Sequence, residues 1–415
     1  MSCLHYCDAT LYIENVNLMQ VAQQFGTPSY VYSRAMLEKN WKAFDQAFQF
    51  IPHCICYAVK ANSNIAILHL LAQLQSGFDI VSLGELERVI AAGGDPQKTV
   101  FSGVGKREDE IEEAIKKNIY CFNIESTSEL ERLAKIAHRL NKKVKVMLRI
   151  NPNVNPQTHS HISTGLKENK FGIHVSEIVS LSRQLVSHTS LQFIGIGCHI
   201  GSQITTLAPF LEAIDCLLDI YQQLQRSGIT LQYINIGGGL GITYHQERPP
   251  EIIEYAQTLQ QKLSSYPVKL ILEPGRAIIG NAGVLLTRVE YLKSTPHKQF
   301  AIVDAGMNDF LRPSLYDAWQ AILPVTVRQE AKKIYDIVGP VCESADFLGK
   351  DRELAIQEGD LLAVDSAGAY GFSMSSNYNS RGRPAEILID GDQIRLIRRR
   401  ETIQETFALE NIIKG

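Results

Sequence analysis

No stretch of the chain approaches the ~18 consecutive apolar residues that a membrane span needs. Nor does one sign of charge dominate: 41 lysines and arginines stand against 44 aspartates and glutamates in 415 residues. A net charge of −3, with 45% hydrophobic and 20% charged residues, offers no concentrated basic surface for a phosphate backbone. The same balance rules out large-scale disorder and supplies a sizeable core. Met1–Asn15 lacks the basic and apolar regions of a signal peptide. The eight cysteines are scattered rather than grouped in a small disulfide framework, which suits a reducing cytoplasm. Cys54 and Cys56 share one face of an apolar run. Without a second Cys/His pair nearby they read as core thiols, and no metal site is expected. No internal repeat or low-complexity segment is present.

A regular alternation begins near residue 54. Short β-branched or aromatic runs mark strands at Ile55–Val59, Phe78–Val81, Thr99–Ser102, Tyr120–Ile124, Val144–Ile150, Phe193–His199, Tyr233–Ile236 and Leu270–Glu273. Between them, Ile65–Gln75, Glu108–Lys117, Glu129–Arg139, Phe210–Arg226 and Pro250–Leu263 carry apolar residues at helical spacing. Strands that alternate with helices pair in parallel. Eight such units in this length favour a closed (β/α)8 barrel over an open sheet. A dinucleotide fold would need Gly-x-Gly-x-x-Gly after the first strand, which is followed here by Lys60-Ala61-Asn62. The long polar connection from Asn151 to His174 reads as a functional loop. After Ile279 the texture becomes all-β, with strand-like runs at Val284–Tyr291, Phe300–Val303, Lys333–Val338, Asp360–Val364 and Glu386–Ile397 and one helical stretch near Leu315–Ala321. Ser29–Tyr32 is expected to join them. The predicted division is a barrel over 35–280 and a β-domain, sandwich- or barrel-like, from 1–34 and 281–415.

Barrel strands end at one shared mouth. Here the ends carry Lys60, Asp79 and Ser82, Arg149, His199 with Ser202, Gly237-Gly238-Gly239, and Glu273 with Arg276. Each has a bland explanation alone: a solvated lysine, a core histidine, a glycine turn. Together they bring an amine, an imidazole, a carboxylate, guanidiniums and an anion-binding loop to one place. That set suits pyridoxal 5′-phosphate. Lys60 lies in the apolar Tyr57-Ala58-Val59-Lys60-Ala61-Asn62, and burial lowers a lysine's pKa toward the free amine that captures an aldehyde. Successive glycines admit a phosphate to the backbone. Glu273 can hold a proton on the pyridine nitrogen, and His199 offers a flat face to the ring.

At these residues the chain resembles the alanine-racemase-like, fold-type III pyridoxal-phosphate decarboxylases. The carrying motifs are Tyr57–Asn62, His199-Ile200-Gly201-Ser202-Gln203, Gly237-Gly238-Gly239 and Glu273-Pro274-Gly275-Arg276. Asn308–Tyr316, Gly339-Pro340-Val341-Cys342-Glu343-Ser344-Ala345-Asp346, and Gly368-Ala369-Tyr370 through Ser375–Asn379 to Arg383–Glu386 resemble the branch of that family acting on meso-2,6-diaminopimelate. The resemblance runs from about Gly26 to Ile397. It implies decarboxylation to L-lysine and carbon dioxide, the last step of lysine biosynthesis. Lys60 would be the Schiff-base lysine, His199 would stack on the ring, and Glu273 would bind its nitrogen. Ser202, Gly239, Gly275, Arg276 and Tyr370 would hold the phosphate. Arg276, Arg312 and Tyr316 would grip the distal carboxylate, with Tyr370 also facing substrate, and Glu343 the distal ammonium. Cys342 would be the acid that protonates the carbanion. A cytoplasmic homodimer is implied, with Cys342 and Glu343 entering the partner's site.

Three other readings stay open on the residues alone. Ornithine, lysine or another basic amino acid as substrate would leave Arg312 and Tyr316 without a distal carboxylate to bind. A pyridoxal-phosphate-binding pseudoenzyme predicts loss of Lys60, Cys342 or Glu273, and all three are present. A racemase on this fold would normally use a tyrosine base instead of the Cys-Glu pair.

Overall fold

The computed structural model describes residues 2–155, 165 and 169–413. They form two compact units, one of Asn40–Ile242 with Arg248–Ala277, the other of Met1–Lys39, Thr243–Glu247 and Ile278–Gly415.

The first unit is a closed parallel barrel. Its strands are β1 His53–Ala58, β2 Gly77–Ile80, β3 Thr99–Phe101, β4 Cys121–Ile124, β5 Val144–Asn151, β6 Leu191–Gly197, β7 Tyr233–Asn235 and β8 Lys269–Leu272. Each pairs in parallel with the next, and β8 returns to β1 with Leu270 opposite His53. The closure that strand–helix alternation predicts is therefore present. Helices α1 Ile65–Gln73, α2 Leu83–Ala91, α3 Glu108–Lys116, α4 Thr127–Arg139, α5 Ile178–Ser187, α6 Ala208–Arg226 and α7 Ile252–Leu263 follow the first seven strands, and the short α8 Arg276–Ile279 follows β8.

Several helix starts are capped directly after a strand. Asn64 accepts from the Ala66 N–H, Ser82 from Glu85 and Ser126 from Glu129, each cap contributing ~1 kcal/mol. Capping stops the strand-to-helix turns from fraying, so the strand-end residues before them are well placed. Cys56, Val100, Cys121, Met147, Ile194 and Ile271 pack as one cluster. The Cys54 contact and burial push the Cys56 thiol up, the behaviour of a core thiol. Of the predicted functional loop from Asn151 to His174, residues 156–164 and 166–168 lie outside the described residues. Beyond them, Ile173–His174 forms a short strand that pairs with Ile150 and Asn151.

The second unit is built on a sheet in the order Phe347–Leu354, Lys333–Val338, Gln299–Val303, Gly283–Ser294, Ser29–Ser33, Ala385–Asp390, Gln393–Arg398. Ser29–Ser33 takes a central place, antiparallel to Gly283–Ser294 and parallel to Ala385–Asp390, and is buried along its whole length. Val31, Val284, Leu286, Ile387 and Ile389 share a core with Leu11 and Ile13 from the N-terminal sheet.

Four details depart from the sequence reading. The predicted run Glu386–Ile397 is a hairpin broken at Gly391, whose φ is +63°. The helical stretch lies earlier, at Arg312–Tyr316, where Pro313 suits the first turn of a helix. Strands at Phe347–Leu354 and Ile322–Pro324 were not anticipated. Nor were the small sheet of Leu4–Cys7, Thr10–Ile13 and Val16–Asn17 and the helices Leu18–Phe25 and Arg34–Ala47.

Candidate active site

β1 ends at Ala58, where the Ala58 N–H donates to the Pro274 carbonyl at 3.1 Å. A single tight turn, Val59–Ala61, then presents Lys60. Tyr57, Ala58, Val59 and Ala61 are all buried, so the apolar setting read from the sequence holds for the chain around Lys60. It does not hold for the amine. The Lys60 side chain is 35% exposed and its ammonium is ion-paired with Asp79, itself 1% exposed at the end of β2. The second Asp79 oxygen, Oδ1, is buried with no hydrogen-bond partner among the described residues.

Across the mouth, Glu273 follows β8 and is 8% exposed. Its Oε1 accepts from Asn235 Nδ2 at 2.6 Å and Asn123 Nδ2 at 3.2 Å, and Asn123 also donates to Ser102 Oγ at 2.9 Å. Burial, then the Asp79 charge, pushes the Glu273 carboxyl up to about 7. His199, beyond β6, accepts the Gly238 N–H on Nδ1 at 3.2 Å. Burial and the Arg149 and Lys60 charges hold this imidazole well below its ordinary 6.5. It is therefore neutral at physiological pH, with its proton on Nε2. Arg149 is fixed by Glu125, 2.7 Å from its guanidinium, and Glu125 also takes the Gly103 N–H at 3.0 Å.

The glycine run has the geometry a cradle requires. Gly237 and Gly239 have φ of +66° and +104°, a region other residues adopt only with strain. A Cβ on Gly239 would lie 2.5 Å from the Gly201 carbonyl. Ser202 Oγ accepts from Arg276 Nη2 at 3.1 Å, joining the turn after β6 to α8. Lys60, Asp79, Asn123, Arg149, His199 and Glu273 all line one cavity of about 390 Å³.

These residues fit pyridoxal 5′-phosphate. The cavity has a lysine amine at one side and a buried carboxylate tuned near neutrality at another. It also has a neutral imidazole and an orphaned buried Asp79 oxygen that needs a donor; beside it, bonded to His199 through the Gly238 N–H, lies a glycine turn too tight for any side chain. Asp79 stood among the strand-end residues read from the sequence without a role. Asn123, Asn235 and Glu125 were not singled out. The available signal was a polar residue at an inward position of an otherwise apolar strand, as in Phe122-Asn123-Ile124 and Ile234-Asn235-Ile236.

Arg312, Tyr316, Cys342, Glu343 and Tyr370 belong to the second unit. Arg312 opens its short helix 5% exposed, with its guanidinium 4.4 Å from the centre of the Tyr244 ring. Cys342 is exposed, and its backbone N–H donates to Asn379 Oδ1 at 3.1 Å. Glu343 accepts the Tyr378 hydroxyl. Asp346 accepts the Val341 and Met307 N–H groups, both at 2.6 Å, which pins the loop carrying Cys342 and Glu343. Tyr370 has a positive φ of 56°.

The pyridoxal-binding-domain family of pyridoxal-dependent decarboxylases matches residues 34–280. The diaminopimelate decarboxylase of Vibrio cholerae is 56% identical over 407 residues, covering 98% of each chain. That of Pseudomonas aeruginosa is 54% identical over 413 residues, covering 100% of each. Among solved structures, the Helicobacter pylori diaminopimelate decarboxylase complexed with L-lysine superposes with a TM-score of 0.92. It is 43% identical and covers 95% of this chain and 99% of that one. The M. jannaschii diaminopimelate decarboxylase, also in complex with L-lysine, gives a TM-score of 0.95 at 38% identity, covering 100% and 99%.

Proposed function

The chain belongs to the diaminopimelate decarboxylase family of pyridoxal-dependent decarboxylases, and from that premise we propose that it converts meso-2,6-diaminopimelate to L-lysine and carbon dioxide. The observation that carries the reading is the convergence of Lys60, His199 and Glu273 on one cavity of the barrel.

Bound pyridoxal 5′-phosphate supplies the electron sink for the pair left when carbon dioxide departs. The chain's own groups do the rest. Lys60 would hold the cofactor's aldehyde carbon, and Asp79 is paired with its amine. Glu273, oriented by Asn235 and Asn123, is the acceptor for a proton on the pyridine nitrogen. His199 would offer its neutral face to the ring. Ser202, Gly239, Gly275, Arg276 and Tyr370 would hold the phosphate.

Arg312, Tyr316 and Arg276 take the distal carboxylate, because a guanidinium binds carboxylate oxygens in matched pairs. Glu343 takes the distal ammonium, Tyr370 also borders the substrate, and Cys342 returns the proton to carbon. In this reading the enzyme is a cytoplasmic homodimer in which Cys342 and Glu343 of one chain complete the site of the other. The test offers purified protein meso-diaminopimelate, lysine and ornithine separately and follows carbon dioxide release. Release from meso-diaminopimelate alone is expected; release from ornithine or lysine instead would refute the assignment.

A further inference from the structure

Gln320 is 0% exposed yet carries an amide, which is costly to bury unless both ends are bonded. Both ends are. Its neighbours fix which way the amide is assigned: an arginine donor on one side and a backbone carbonyl on the other place the oxygen toward Arg312 Nη1 at 2.5 Å and the NH2 toward the Asp365 carbonyl at 3.0 Å. The frame around it is rigid. Gln320 comes just before the strand Ile322–Pro324, and Asp365 just after the antiparallel partner Leu361–Val364, with Ile322 opposite Val364. The Asp365 N–H donates to the Ala321 carbonyl at 2.9 Å, so the amide is anchored to a paired strand end. The neighbouring Trp319 is stacked on His245 at 4.1 Å between ring centres, with the Arg352 guanidinium 4.6 Å from its ring. Arg352 Nη2 also donates to the Gln320 backbone carbonyl at 3.1 Å. Arg312 is thus held by the Tyr244 ring and by an amide that the sheet itself orients.

We propose that Gln320 aims Arg312 at the substrate's distal carboxylate and so sets the preference for substrates that carry one. The inference rests on the assignment of Arg312 as the distal-carboxylate clamp. Gln320 is a positioning residue: its neutral oxygen fixes Nη1 without bringing a negative charge to the guanidinium. A carboxylate of the same shape would form a charge-assisted pair with Arg312 and compete with the substrate for it. An apolar side chain of similar volume would leave Nη1 without this acceptor.

The test compares wild type, Q320E, Q320M and R312A as holoenzymes. It measures KM and kcat for meso-diaminopimelate and the inhibition constants of L-lysine, which has the carboxylate, and 1,5-diaminopentane, which lacks it. Q320E is expected to raise KM and the L-lysine constant by about tenfold or more, the scale of one charge-assisted contact. kcat and the diaminopentane constant should stay within about twofold, since neither depends on ground-state binding of that carboxylate. Q320M should weaken L-lysine in the same direction by less, and it decides the matter alone if Q320E does not fold. An unchanged L-lysine constant in folded Q320E, or equal losses for both ligands, overturns the proposal. R312A separates the two ideas. If R312A leaves L-lysine binding unmoved, the clamp assignment itself is wrong; if R312A weakens it and the folded Gln320 variants do not, only the role of Gln320 is.

Discussion

Glu273→Gln in the cofactor-free protein should remove a pH dependence of folding that the wild type carries. The Glu273 carboxyl is raised in the folded chain from the ordinary 4.5 to about 7, first by burial and then by the Asp79 charge. An acid whose folded pKa lies above its unfolded one keeps its proton in the fold after the unfolded chain has lost it. Its contribution to stability is therefore complete below pH 4.5 and is lost as pH rises through about 7. A gap of roughly 2.5 pH units at ~1.4 kcal/mol each comes to about 3 to 4 kcal/mol, of which about 2 to 3 is lost between about pH 5 and 8. Glu85 and Asp309 are also raised to about 7 by burial and tilt the curve the same way, but both remain in the variant and cancel in the comparison. The substituted glutamine keeps the oxygen that Asn235 and Asn123 bond, so the local geometry is conserved while the titration is removed. Urea unfolding of both proteins at intervals from pH 5 to 8 gives the difference directly. The wild type should lose about 2 to 3 kcal/mol more than the variant over that range. Parallel curves would show that Glu273 is not held near neutrality, and the basis for its role at the ring nitrogen would be gone.

Borohydride reduction of the holoenzyme, followed by peptide mapping, should place the pyridoxyl group on Lys60; a label on any other lysine overturns the site. Cys342→Ala should bind cofactor and substrate normally but turn over slowly and divert part of the product to an aldehyde and pyridoxamine phosphate. Mixing it with Lys60→Ala under subunit exchange should recover partial activity if sites are shared, at most one good site in two per mixed dimer; activity fixed at the mutant baseline would confine each site to one chain.

The barrel was legible because its signal is periodic. Each strand is an apolar run buried on both faces, and each helix carries an apolar stripe, so even α6 could be bounded to within two residues of Ala208–Arg226. The missed elements lack that signal. Phe347–Leu354 holds Lys350, Asp351, Arg352 and Glu353 in one strand at the edge of its sheet, where solvent takes the place of a second face and charge hides the alternation. Leu4–Cys7 is largely exposed and owes its existence to pairing with Thr10–Ile13. The site divides along a similar line. Residues whose own chemistry is conspicuous, Lys60, His199 and Glu273, could be gathered as a set because each follows the end of a barrel strand. Residues that act by orienting another group could not, because an orienting contact is a property of two distant positions. Asn123 reaches Glu273 across 150 residues, and an asparagine in a strand reads only as a weak β-former until that partner is known. Lys60 shows the same limit from the other side. Its apolar neighbours pointed to a sheltered amine, but the side chain is 35% exposed and Asp79, on the next strand, pairs with it. Charge pairing across a barrel mouth is decided by strand register, and register emerges only when the barrel closes.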